Sequence, residues 1–379
     1  MYIDYKNRIF GLDVLRAIAI LMVLFSHSTL LLFPNQQHLL ITIIQFFGTI
    51  GVDLFFVLSG YLIGTIILKQ LQKGKTKFKD FCYFWMRRWF RTLPNYFLIL
   101  SLNILALYVL KGKIINEVIT YFGFLQNFNS PHPNFFTEAW SLSIEEYAYI
   151  IGPLLLFILV SYFKKTSKNQ LFLITVLGII ILVTCLRFNF HLSNKIQSMH
   201  EWSQEIRKVV IYRIDSIYYG FLAAFLIYNF NSFVKQFERR FFWIGLVLFL
   251  GIHILIFGFD LQPEHATLFF NIFYLPLLSI SLLLLFPVFV NWDQSNRFKS
   301  QITQISILSY GLYLVNYSLI LLTMQHFINI EVQSVFIKII LLAVYWLSSF
   351  ALAFLLYRFF EKPMTDLRDL KSIRRYFCD

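Results

Sequence analysis

The sequence predicts an all-α membrane protein, a bundle of about ten transmembrane helices in a single domain that covers residues 1–379. Hydrophobic residues make up 58% of the chain and charged residues 14%, a balance that excludes an assembly of soluble domains. The apolar residues are also gathered into runs of about twenty, the length that crosses a bilayer as a helix. The predicted spans cover residues 12–33, 48–68, 90–110, 139–163, 171–188, 209–230, 241–259, 267–290, 302–327 and 332–360.

The charge of the loops predicts the orientation of these spans. Lys and Arg are concentrated in the N-terminal segment, in every second loop and in the C-terminal tail, and are sparse in the other loops. Because cytoplasmic loops carry the excess of basic residues, both termini are predicted to be cytoplasmic. The net charge of +13 is dispersed over these loop clusters, so we expect contact with membrane lipids and no binding of nucleic acid.

Two apolar stretches near the N-terminus need separate predictions. The first run is long enough to span the bilayer and contains Arg16, so we expect it to be retained rather than removed as a signal peptide. The stretch 39–47, which precedes the second span, is expected to be an interfacial or re-entrant segment that ends at Gly48.

The first span carries Asp13, Arg16 and His27, polar groups that are costly in lipid and that usually mark a functional site. Arg16 and His27 are eleven residues apart, which corresponds to three helical turns plus about 20°. They therefore share one face of the helix, separated by about 16 Å along its axis. This spacing predicts that a guanidinium and an imidazole line one path.

The second and third spans add a carboxylate and two arginines. Asp53 lies on one stripe of the second span together with Gly60 and Gly64, whose commoner use is close helix packing. Arg88 and Arg91 share a face at the start of the third span. These arginines could anchor the helix among the lipid headgroups, which the residues alone favour, or could clamp a phosphate by paired hydrogen bonds.

The fourth span begins with an acidic pair. Ser143 followed by Glu146 fits a capping box, which would make Glu146 structural. Glu145 has no such explanation and could orient an imidazole or a hydroxyl substrate.

Two later spans contain polar residues for which a structural role is the simpler interpretation. Arg213 and Asp215 could pair with each other or with another helix. An interhelical hydrogen bond is enough to explain Asn316 in the ninth span.

Counting depth at about 1.5 Å per residue separates these groups into two levels. The predicted inner, basic level would hold an anionic donor, and the outer level would contain the acids and the imidazole. The inner level contains Arg16, Arg88 and Arg91, and the outer level contains His27, Asp53 and Glu145.

Seven blocks in order resemble the acyltransferase-3 family of integral membrane O-acyltransferases, from Ile9 to about Pro363. The first span matches the family pattern of an arginine and a histidine separated by ten residues. The remaining blocks are GVDLFFVLSGYLIG, Arg88-x-x-Arg91 followed by Pro94, WSLSIEEY, RIDSIYYGFLAA, SYGLYLVNYS and FEKP.

The resemblance implies transfer of an acetyl or other short acyl group from cytoplasmic acyl-CoA, without a metal, in the bacterial inner membrane. The acceptor would be a hydroxyl of a cell-envelope glycan or lipid-linked glycan, such as lipopolysaccharide O-antigen or exopolysaccharide. By the same resemblance, His27 would be the general base or an acyl relay with Arg16 as its partner. The coenzyme A contacts would be Arg88, Arg91 and Arg16, and the supporting acids would be Asp53 and Glu145.

The chain departs from the family at two points. Family members often have a histidine where this chain has Asn316, so the imidazole chemistry falls on His27 alone. Some members also carry a C-terminal extracytoplasmic hydrolase-like domain that this sequence lacks, so we expect the spans, the outer loops or a partner to select the acceptor.

A secondary transporter of a small anionic solute is the alternative, because buried ionisable residues in ten spans are also typical of that class. Transporters usually contain inverted repeats with paired broken helices, and the sequence shows no such repeat. The three cysteines are scattered without a metal-type spacing, which agrees with a metal-free prediction.

Overall fold

Among the described residues, ten helices are long and apolar enough to cross a membrane, which confirms the predicted bundle. The computed structural model describes residues 8–35, 38–112, 115–292 and 297–370, and these residues contain no β-strand. The two ends that are predicted to be cytoplasmic, residues 1–7 and 371–379, lie outside the described residues. The spanning helices are α1 (Phe10–Leu32), α2 (Leu39–Gln72), α3 (Phe78–Lys111), α4 (Ala139–Tyr162), α5 (Lys168–Ser193), α6 (Val210–Asn229), α7 (Asn231–Gly258), α8 (Phe269–Val290), α9 (Lys299–Phe327) and α10 (Val335–Leu367).

Helix α2 is continuous from Leu39, so the predicted interfacial or re-entrant segment before Gly48 is wrong. Gly48 marks a close approach to α1 instead of a break. A methyl group at Gly48 would lie 2.5 Å from Oγ of Ser26, and this hydroxyl donates a hydrogen bond to the carbonyl of Gln45 at 2.7 Å. The glycine therefore allows α1 and α2 to pack together.

Helix α3 begins at Phe78, twelve residues before the predicted start at 90. The carboxylate of Asp80 accepts a hydrogen bond from the backbone N–H of Lys77 at 2.9 Å, which caps the first turn. As a consequence, Arg88 and Arg91 lie about 15 and 20 Å inside the helix and not at its surface end.

Glycines also bring α2 and α6 into direct backbone contact. A methyl group at Gly60 would lie 1.9 Å from the carbonyl oxygen of Ile217, and one at Gly220 would lie 2.1 Å from that of Val57. This confirms the packing interpretation of Gly60. Helix α6 is the most enclosed of the ten, with 72% of its apolar window buried, compared with 22% for α7. The bundle is therefore built around α6, and α7 lies at its periphery.

Three of the spanning helices contain a π-helical segment, in which the backbone bonding changes from i−4 to i−5. Such segments release carbonyl groups at the transition and often occur at functional sites. They are Phe269–Tyr274 in α8, Asn316–Leu321 in α9 and Tyr357–Glu361 in α10.

Candidate active site

A cavity of about 380 Å³ lies between α1, α2, α3, α4 and α9. Its wall combines apolar side chains from α2 with polar groups from the other four helices. Among the described residues, four guanidinium groups and three carboxylates face this one space, so the cavity carries charged groups although it lies among spanning helices. The charged lining residues are Arg8, Asp13, Arg16, Arg88, Arg91, Glu145 and Glu146.

Arg88 is paired within the cavity wall. Its Nη2 donates to Glu145 Oε2 at 3.2 Å, and its guanidinium lies 4.2 Å from the ring centroid of Tyr149. The Tyr149 hydroxyl donates to the same Glu145 oxygen at 2.6 Å. The predicted separation into a basic inner level and an acidic outer level is therefore wrong for Glu145. Because α3 begins earlier than expected, Arg88 is deep enough to meet this carboxylate.

Glu146 contacts α3 rather than the start of its own helix. It accepts hydrogen bonds from Nε1 of Trp89 and Oγ1 of Thr92, each at 3.2 Å. The predicted capping box is wrong because α4 begins at Ala139, which places Ser143 in the second turn. There the Ser143 hydroxyl donates to the carbonyl four residues earlier, at 3.2 Å.

Arg8 is a cavity residue that sequence analysis did not identify. Its Nε and Nη2 donate to the two oxygens of Asp13 at 2.9 and 2.5 Å. The hydroxyl of Ser306 donates to Asp13 at 2.8 Å, which ties this ion pair to α9. Arg8 precedes the first apolar run, and no spacing or motif marks it as a site residue.

Arg16 and Arg91 differ from the other two arginines because neither has a hydrogen bond or ion pair with the described part of the chain. Arg16 is partly exposed and Arg91 is exposed, and both line the cavity. A guanidinium without a hydrogen-bonded carboxylate can take up an anion with little rearrangement, because no existing ion pair has to break. These two arginines are therefore the available anion-binding groups of the cavity.

His27 is outside this cavity lining and contacts α9. Its Nδ1 is hydrogen-bonded to Oδ1 of Asn316, and its ring centroid lies 4.8 Å from that of Tyr317. A carboxylate partner for His27, the predicted arrangement with Asp53 or Glu145, is absent from the contacts of the described residues. Tyr313, in the cavity wall, lies three residues before Asn316, so about one turn of α9 separates the cavity from His27.

Asp53 is part of a separate ionic group in the core. Its carboxylate pairs with Arg213 from α6, and Asp215 pairs with Arg187 from α5 at 2.7 Å. All four side chains are 0–3% exposed, and none lines the cavity. Arg213 and Asp215 thus each pair with a residue of another helix, which was one of the two predicted possibilities. They do not pair with each other.

Glu138 was also missed by sequence analysis. It precedes α4 and is 4% exposed, and its Oε1 accepts from the backbone N–H and the hydroxyl of Ser318, at 3.2 and 2.6 Å. Burial raises the pKa of Glu138 to about 7. The acidic residue just before the WSLSIEEY block was the available signal, but a carboxylate at the start of a helix usually indicates only capping.

Comparison with known protein families finds one family that matches this chain. A family model described as an acyltransferase domain matches residues 9–358, nearly the whole chain. The chain belongs to the acyltransferase-3 family. It is thus an integral membrane member of a family of acyltransferases, and the resemblance read from the sequence blocks is confirmed.

Curated relatives match less than half of this chain. The peptidoglycan O-acetyltransferase OatA of Listeria monocytogenes is 32% identical over 187 residues, which is 45% of this chain and 27% of that protein. YrhL of Bacillus subtilis, whose name assigns it provisionally to the peptidoglycan O-acetyltransferases, is 33% identical over 178 residues, 42% of this chain and 25% of that protein. The matched regions thus span about a quarter of the length of these relatives. No solved structure matches the chain.

Proposed function

We propose that this protein transfers an acetyl or other short acyl group from cytoplasmic acyl-CoA to a hydroxyl of a cell-envelope glycan, in the bacterial cytoplasmic membrane. The observation that carries the proposal is a cavity with two guanidiniums that have no ion pair among the described residues, and with Tyr313 in its wall, about one turn of α9 from the Asn316 that contacts His27. Acyl-CoA fits this arrangement, since its phosphates need cationic groups and the thioester at the end of its thin arm has to reach the imidazole.

The donor end of the proposal rests on Arg16 and Arg91. Both can form charge-assisted hydrogen bonds to phosphate oxygens of coenzyme A. Arg88 has a different role in this proposal: it is held by Glu145 and Tyr149, so it shapes the cavity wall and adds to the positive field. The acyl end of the donor would pass the level of Tyr313 to reach His27.

The chemical step needs a base for the acceptor hydroxyl. In the proposed step, the hydroxyl oxygen attacks the thioester carbon while a ring nitrogen of His27 takes the hydroxyl proton. The C–S bond then breaks, and the coenzyme A thiolate leaves and recovers the proton from the imidazolium. The products are the O-acyl ester and free coenzyme A, and His27 returns to its neutral form.

The acceptor is a glycan with free hydroxyls. Two relatives carry peptidoglycan in their names, which makes peptidoglycan the first acceptor to test. Lipopolysaccharide O-antigen and exopolysaccharide are the other acceptors that we propose to test.

The test is acyl transfer by the purified protein in proteoliposomes, with labelled acetyl-CoA outside and solubilised glycan fragments inside. We expect a gain of one acetyl mass on the glycan, with release of coenzyme A on the donor side. His27→Ala should lose this product by about 10²–10⁴-fold while it still inserts and purifies normally. Accumulation of a solute without consumption of acetyl-CoA would instead support a transporter and overturn the proposal.

A further inference from the structure

The amide of Asn316 has only one possible orientation. Its Nδ2 donates to two backbone carbonyls, those of Leu312 at 2.6 Å and Tyr313 at 3.0 Å. The NH₂ group of the amide therefore faces backbone carbonyls. A flipped amide would place Oδ1 against the same two carbonyl oxygens, with no hydrogen between them. The oxygen of Asn316 must point away from these carbonyls, towards His27.

The two acceptor carbonyls directly precede the π-helical segment of α9. Asn316 is the first residue of this segment, and its own N–H also bonds to the carbonyl of Leu312. A carbonyl oxygen has two lone pairs, so that of Leu312 can accept from both the backbone and the side chain of Asn316. The two hydrogen bonds from Nδ2 thus fix the Asn316 amide.

The fixed amide determines which nitrogen of His27 carries the hydrogen. Oδ1 of Asn316 can only accept, so the Nδ1 that faces it must be the N–H of the neutral ring. The hydroxyl of Tyr345 donates to the same oxygen at 3.4 Å. In this tautomer Nε2 carries the lone pair. Among the described residues Nε2 has no hydrogen-bond partner, and the imidazole is partly exposed.

We propose that Asn316 is a positioning residue that holds His27 as the Nδ1–H tautomer, so that Nε2 is the atom that takes the acceptor's proton. The identity of that acceptor hydroxyl rests on the proposed function, whereas the tautomer rests on the contacts alone. The atoms balance as in the transfer step: Nε2 gains the hydroxyl proton, and the amide oxygen continues to accept from Nδ1–H. The imidazolium later returns the Nε2 proton to the thiolate.

Glu138 holds the segment that carries Asn316. Its Oε1 binds the N–H and hydroxyl of Ser318, and its backbone carbonyl accepts from the Tyr313 hydroxyl at 3.2 Å. Glu138 thereby connects the residues on either side of Asn316 to the start of α4. The titratable groups that contact His27 or the residues holding it are Glu138, Tyr313, Tyr317 and Tyr345.

The decisive measurement is the ¹⁵N NMR spectrum of histidine-labelled protein in nanodiscs, with the His27 signals assigned by their loss in His27→Gln. We expect a pyrrole-type signal for Nδ1 and a pyridine-type signal for Nε2. In Asn316→Leu, which removes the acceptor, the signals should exchange types or average. Asn316→Asp keeps an oxygen acceptor and should retain the Nδ1–H tautomer. A pyridine-type Nδ1 in the unmodified protein would overturn the inference.

Kinetics add a second readout that a merely structural role would not change. In Asn316→Leu we expect kcat to fall about 10²-fold or more with an unchanged KM for acetyl-CoA, and Asn316→Asp should recover part of kcat. Asn103→Leu is the matched control, because Asn103 is also buried and donates to the carbonyl of Ile99 at 2.9 Å, away from the cavity. It should retain kcat.

The two proposals fail in different ways. Unmodified protein with the expected tautomer but no acyl transfer would refute the proposed function and leave the assignment of the tautomer intact. Asn316→Leu with wild-type kcat would refute the positioning role and leave acyl transfer intact.

Discussion

Two groups of ion pairs in this protein differ in what surrounds them. In the cavity group, Arg88 and Glu145 are 17% and 18% exposed, and the cavity also contains two arginines without an ion pair to the described residues. In the core group, Asp53 and Arg213 are 3% and 0% exposed, and neither lines this cavity. In this protein, the charges that face open space are therefore the candidates for binding an anion. The fully enclosed pairs hold helices together.

The largest expected effect is on the core group. Asp53→Asn leaves the guanidinium of Arg213 buried without a counter-charge, which should lower the free energy of unfolding by about 3–5 kcal/mol. Thermal unfolding of purified protein would measure the loss. The double variant Asp53→Asn with Arg213→Gln should recover most of it, because no uncompensated charge remains. A normal melting temperature but lost acyl transfer in Asp53→Asn would instead place Asp53 in the chemistry.

The cavity group should respond in the opposite way. Arg91→Gln removes an unpaired guanidinium, so stability should change little while the KM for acetyl-CoA rises about 10–100-fold, the value of a hydrogen bond to a charged group. Steady-state kinetics with varied acetyl-CoA measure this. Arg87→Gln is the matched control, since Arg87 lies on the same helix outside the cavity lining and pairs with Asp369 at 3.8 Å. An equal rise in both variants would indicate a nonspecific loss of charge.

The pair Arg88–Glu145 should give an intermediate result. A double-mutant cycle with Arg88→Gln and Glu145→Gln should yield a coupling of about 1 kcal/mol in stability, because both side chains are partly exposed to the cavity. Melting curves of the unmodified protein, the two single variants and the double variant provide the four required values. A coupling as large as that of the enclosed pair Asp53–Arg213 would remove the distinction between the two groups.

A further prediction concerns pH. Because the pKa of Glu138 rises from 4.5 to about 7 in the folded protein, the folded state holds a proton that the unfolded state has released. Stability should therefore fall as the pH rises from about 4.5 to about 7, and level off above that. Glu138→Gln, which resembles the protonated acid, should lose this part of the slope in melting temperature against pH. An identical slope in both proteins would contradict the assignment.

Much of the fold followed from hydropathy, since span number depends only on the length and spacing of apolar runs. The start of α3 did not, because interfacial residues such as Trp85 and Arg88 have a composition suited either to a loop or to a helix end. The continuity of α2 did not either, because a glycine such as Gly48 suits both a break and a close approach of two helices. Because the predicted start of α3 was wrong, the predicted depths of Arg88 and Arg91 were wrong too, and the contact between Arg88 and Glu145 was not predicted.

The candidate site was only partly predictable for a similar reason. Arg16 and Arg91 were identified from motifs, and both line the cavity. The partner of His27 was not predicted because its contact with Asn316 joins residues 289 positions apart. Glu138 was missed because its contact with Ser318 joins residues 180 positions apart.

The central claim is that the two unpaired cavity arginines hold the donor. Isothermal titration of acetyl-CoA into the purified, detergent-solubilised protein tests it most directly, with the double variant Arg16→Gln, Arg91→Gln beside the unmodified chain. We expect the double variant to bind at least about 100-fold more weakly, since two charge-assisted contacts are lost, while its melting temperature stays near that of the unmodified protein. Equal affinity in both proteins would contradict the claim.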